Sequence, residues 1–162
     1  MPLADAKVPA TFTSRLCKCV PVEGRYDMSY LIATFTEILT RIKEGSLLPP
    51  AVIAAYDHDT ILDERDNDVD FEAQWMRCHN EIEERWRPGE VKPELIALIG
   101  DICRESFLAV SRATGQHEIA AYISDDFDLI VRGAVLELKN DFLTNLWLAY
   151  NRNEIPTSQT SK

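Results

Sequence analysis

The sequence predicts an all-α fold, a single-domain helical bundle of six or seven short helices with mobile termini. Three observations carry that prediction. Apolar residues recur at i, i+3, i+4 and i+7 in segment after segment. Pro or a capping Asp, Asn or Ser opens most of those segments, and Gly or Pro closes them. No stretch shows the convincing two-residue alternation of a half-buried strand. At 162 residues and 46% hydrophobic content, the chain fits one domain and has enough apolar surface to build a core.

Asp27 is placed to cap a first helix, along which Met28, Leu31, Ile32, Phe35, Ile38, Leu39 and Ile42 form one apolar stripe closed by Gly45. Pro49-Pro50 then opens a second helix over 51–62, with Val52, Ile53 and Tyr56 facing inward. Residues 63–70 are mostly acidic and read as a loop or a frayed join, because like charges repel in a compact turn. Phe71, Trp75, Cys78, Ile82 and Trp86 share one side of a third helix that stops at Pro88-Gly89. Pro93 starts a fourth, which carries Leu95, Ile96, Ile99, Ile102, Cys103, Ser106, Phe107 and Val110 at helical spacing and ends at Gly115.

The spacing over residues 117–123 predicts a short helix. Ser124 caps the next one, 125–138, with Asp125 and Asp126 in a first turn where the helix dipole favours negative charge. Asn140 or Asp141 caps a final helix to Tyr150, and Pro156 stops it. Residues 11–22 suit either a short helix or an extended segment. The expected organisation is a flexible arm over 1–10, one helical domain over 11–156 and a disordered tail over 157–162.

Charge is the most uneven property of the chain. Residues 57–84 hold eleven acids against two arginines, a net charge of −9 where the whole chain carries −10. Such a concentration creates a local negative field that attracts cations and basic proteins. It also disfavours nucleic acid, whose binding depends on Lys and Arg neutralising phosphates. No apolar run approaches the roughly 20 residues that cross a bilayer, and the first residues lack a signal-peptide pattern, so a cytoplasmic protein is expected. Cys78 and Cys103 fall on apolar stripes and read as reduced thiols. Cys17 and Cys19 lack partners at zinc spacing.

The motif-like clusters fail on their own terms. Asp66-x-Asp68-x-Asp70 matches the first half of a calcium loop, but Phe71 stands where the turn glycine belongs and Arg77 where the bidentate Glu belongs. Tyr56-Asp57-His58-Asp59-Thr60-Ile61-Leu62 resembles the aspartate-nucleophile motif of haloacid-dehalogenase-type phosphatases, without the βαβ alternation that motif requires. Ser124-Asp125-Asp126-Phe127-Asp128 resembles the aspartate cluster of helical prenyl-transferring enzymes, with Leu129 in place of the distal acid. His79 shares a helix face with Glu83. Together with Glu72 and either His58 or His117 they could hold a metal, although the paired Glu-x-x-His signature of di-metal bundles is absent.

These observations favour a non-enzymatic interaction protein with no catalytic residue and no cofactor. By size, charge and helicity it is similar to acidic inhibitors of cationic enzymes, such as immunity proteins and antitoxins that neutralise a nuclease toxin. The expected partner is a basic protein. Asp63, Glu64, Asp66, Asp68, Asp70, Glu72, Glu81, Glu83 and Glu84 would carry the electrostatics, and Trp86, between Arg85 and Arg87, would anchor the contact. The alternative is a small metal-binding enzyme or sensor built on the His and carboxylate set.

Overall fold

In the computed structural model, which describes residues 27–157, the first apolar stripe folds inward as spaced: Leu31, Phe35, Ile38 and Ile42 bury along one face of α1 (Met28–Glu44). The Asp27 carboxylate accepts the Ser29 amide at 3.0 Å and starts the helix. Gly45, at φ 73°, ends it. That left-handed turn lets the amides of Ser46 and Leu47 both reach the Arg41 carbonyl at 3.0 Å.

The single helix expected over 51–62 is two: α2 (Pro50–Ala54) and α3 (His58–Asn67). The break comes at Asp57, whose carboxylate accepts the Thr60 amide at 3.2 Å and begins a new helix. His58 then buries and donates from Nε2 to the Ile53 carbonyl at 2.8 Å, fastening α3 onto α2. Ile53 packs inward, whereas Val52 is exposed.

The loop expected over 63–70 is mostly helix. Positions 63–67 complete α3, and Asp68 caps α4 (Val69–Arg85) by accepting the amides of Asp70 and Phe71 at 3.0 Å each. Helical geometry sorts this stretch by face. Ile61, Leu62 and Arg65 are buried, while Asp59, Asp63 and Asp66 project outward, where water and salt screen their repulsion.

A 3₁₀ turn (Pro88–Glu90) leads to α5 (Pro93–Thr114), which Gly115 closes at φ 70°. The short helix and separate Ser124-capped helix expected next are one continuous element, α6 (His117–Val135). Ser124 caps nothing: its hydroxyl donates to the Cys103 carbonyl on α5 at 2.9 Å. Asn140 caps α7 (Asp141–Asn151) by accepting the Phe142 amide at 2.8 Å. This helix ends ahead of Pro156, and the chain then lies back on the core with Ile155, Pro156 and Thr157 buried. Thr157 therefore belongs to the folded body rather than to a tail.

The α5–α6 pair is the spine. α1 and α2 lean on α5, α4 and α7 lean on α6, and α3 joins through α4. Gly133 permits the close approach of α7, since a Cβ there would meet the Leu143 side chain at 2.8 Å. Among the described residues all regular structure is helical, and no helix is long and apolar enough to cross a membrane. The expected arm over 1–10, the ambiguous segment 11–22 with Cys17 and Cys19, and positions 158–162 lie outside the described residues.

Candidate functional site

On α3, Arg65 follows Ile61 by four residues and Leu62 by three, so it shares their inward face. It is only 7% exposed. Opposite it, Asp126 on α6 lies three residues after Ile123 and four before Ile130, and is fully buried. The guanidinium donates to both Asp126 oxygens, at 2.7 and 2.8 Å. Trp75 Nε1 of α4 donates to the same carboxylate at 2.9 Å, and the Tyr150 hydroxyl of α7 at 2.5 Å. One carboxylate thus accepts from three other helices.

The pair is buried, so desolvation opposes it, but a bidentate fork and two further donors offset that cost. Burial pulls the Arg65 pKa down, and the Asp126 charge and hydrogen bonds outweigh it and hold the guanidinium above its usual value. Burial and the Asp126 charge push Tyr150 well above the usual tyrosine range, which keeps it a hydrogen-bond donor. The faces of Arg65 are also covered, by the Phe71 ring at 4.8 Å and the Tyr122 ring at 5.3 Å.

Arg65, at its floor, and Trp75 join this network to a cavity of about 380 Å³ at the surface. α3 contributes Arg65 and Asp66 to its lining, α4 contributes Phe71, Glu72, Trp75 and Met76, and α6 contributes Tyr122 and Asp125. The Tyr122 hydroxyl donates to Asp66 at 2.6 Å, and that bond raises its pKa to about 12. Asp125 is pushed up by partial burial, then by the neighbouring charges of Asp126 and Asp128. With the Arg65 charge met by Asp126, the cavity keeps three unneutralised carboxylates beside aromatic rings and the 41%-exposed Met76.

The ten residues expected to bind a partner separate into groups. Asp63, Glu64, Asp66, Asp70 and Glu72 lie on α3 and the first turn of α4, all but the half-buried Glu64 exposed, while Asp68 serves as the α4 cap. Glu81 pairs with Arg85 at 3.2 Å and Glu83 with Arg132 at 2.6 Å, so both are engaged within the chain. Glu84 is exposed. Trp86, fourteen residues beyond Glu72, sits about 20 Å further along the helix axis at 1.5 Å per residue. It is half-buried, with the Arg132 guanidinium 4.6 Å from its ring centre. Arg87 bonds back to the carbonyls of Glu84 and Trp86.

The histidines are dispersed. His58 is tied to Ile53, His79 stacks on Trp75 at 5.3 Å, and the His117 ring pairs with the Ser111 hydroxyl at 2.8 Å. Among the described residues no group of three or more His, Cys, Asp or Glu side chains converges to hold a metal ion. The aspartates of the half calcium loop also diverge, since Asp66 faces Tyr122 and Asp68 caps α4. Burial pushes the Cys78 thiol up to about 11 and the Cys103 thiol up to about 12, so neither is poised as a nucleophile.

Residues 37–157 match the family described as Immunity protein PIM1. The chain belongs to this immunity-protein family. The match spans α1 from its middle turn through α7 and includes both the buried network and the cavity. No curated protein matches the chain.

Proposed function

We propose that this immunity-family protein is a cytoplasmic inhibitor of a basic toxin of the nuclease class, blocking it with the acidic surface of α3 and the start of α4. Family membership carries the reading, because an immunity protein acts by binding a partner toxin. The finer part draws on where the charge lies. Asp63, Glu64, Asp66, Asp70 and Glu72 sit together near the α3–α4 junction, where Asp68 ends one helix and caps the next. A nuclease binds phosphates with Lys and Arg, and carboxylates held on rigid helices compete for the same cations.

The test is capture from native extract at low and high salt, followed by expression of the captured protein with and without this chain. Growth arrest by the captured protein, relieved by co-expression, is the expected result. Failure of co-expression to relieve arrest overturns the inhibitor reading. Relief of an arrest caused by a captured protein without a basic surface overturns the electrostatic part.

A further inference from the structure

We propose that the cavity between α3, α4 and α6 seats one arginine side chain of the toxin, stacked on Tyr122 and Trp75 and held by Glu72 and Asp125. The inference rests on the toxin-binding reading above. Its chemistry comes from the cavity itself. The carboxylates of Glu72 and Asp125 have no hydrogen-bond or ion-pair partner among the described residues, and both exposed side chains line one open surface cavity with aromatic walls. The floor cannot serve as the counter-charge, because Arg65 already binds both oxygens of Asp126.

An arginine fits this combination better than a lysine. Its planar fork presents five donors, which can reach carboxylates on two different helices at once, and its flat faces stack on aromatic rings. Arg65 shows the same chemistry inside the protein, with its guanidinium lying against Phe71 and Tyr122. Met76, exposed at the rim, supplies an adaptable apolar contact for the aliphatic stem. The Asp125 carboxyl is crowded by Asp126 and Asp128, so an incoming cation also relieves like-charge repulsion.

The probe is N-acetyl-arginine amide, titrated into the full chain while the Met76 methyl resonance is followed by NMR. A saturable shift with a Kd on the order of 1 mM is expected for a ligand of this size. N-acetyl-citrulline amide, which keeps the shape and loses the charge, should give no saturable shift. Glu72→Gln and Asp125→Asn should each weaken arginine binding at least about threefold, roughly one lost exposed charge contact, while Glu94→Gln, on α5, should leave it unchanged. Helical circular dichroism would establish that both cavity variants are folded.

No saturable shift up to about 50 mM, far above the Kd that such a pocket implies, overturns the proposal. Equal binding of the citrulline or the lysine amide overturns the arginine assignment. A silent cavity alongside successful growth rescue removes this inference and leaves the inhibitor reading intact. Arginine binding without rescue keeps the site and removes its assignment to a toxin.

Discussion

Asp126 shows how a single residue decides what its neighbours can do. Its carboxylate meets Arg65, Trp75 and Tyr150, and removing it leaves a buried guanidinium and two other donors without an acceptor. Asp126→Ala should therefore cost about 3–5 kcal/mol in urea-induced unfolding, with Asp126→Asn losing less because the amide still accepts from some donors. A loss under about 1 kcal/mol would mean that the network is incidental. Asp125, one residue earlier, should behave in the opposite sense. Its folded-state pKa is raised by partial burial and by Asp126 and Asp128, so the folded protein holds that proton more tightly than the unfolded chain does. The ionised group therefore opposes folding at pH 7, and the penalty fades as pH falls through the raised value toward the ordinary aspartate range near 4. Asp125→Asn should raise Tm slightly at pH 7, with screening keeping the gain small, and the gain should vanish in acid. A gain that persists unchanged in acid would rule out this electrostatic origin.

Among the helices, α3 is the most informative. A like-charged segment becomes helical here because its few apolar residues and one arginine occupy a single face, and tertiary burial of that face outweighs surface repulsion. The junction with α4 depends on Asp68, whose carboxylate takes two amides that the new helix leaves unpaired. Asp68→Ala should lower stability by about 1 kcal/mol, and Asp68→Asn, which caps equally well, should be nearly neutral. Denaturant unfolding of the two variants checks this, and equal losses would show that the charge rather than the cap matters. Much of this scale was legible in the sequence. Asp27, Gly45, Pro93, Gly115 and Asn140 act at the helix ends where their chemistry placed them. The failures share one cause. Local rules read Ser124 as a cap and residues 63–70 as a loop, whereas the core partners of α6 and α3 are distant in sequence.

At the scale of the whole molecule, the negative charge is concentrated in α3 and α4, while the rest of the charge nearly cancels. Such a field acts on association rates at separations up to the screening length of about 8 Å at physiological salt. The triple variant Asp63→Asn, Glu64→Gln, Asp70→Asn should slow association with the captured toxin about tenfold at low salt and flatten its salt dependence. Stopped-flow rates at several ionic strengths provide the check. An unchanged on-rate would mean that these acids do not steer the encounter. Dissociation should respond mainly to the cavity residues Glu72 and Asp125, since short-range contacts set residence time.

The helical class, most helix ends and the site of charge concentration were determined by sequence alone, because periodicity, capping and net charge are local properties. The cavity was not. Asp126 did leave a trace, since it falls on the apolar stripe of Ile123, Phe127 and Ile130, and Arg65 likewise follows Ile61 and Leu62. Yet nothing local says that these two meet, or that Trp75 and Tyr150 join them. Only packing α3, α4 and α7 around α6 brings the four together, and the same packing leaves Glu72 and Asp125 facing one shared space. A charge can be counted along a chain, but a pocket exists only where distant segments fail to fill the volume between them.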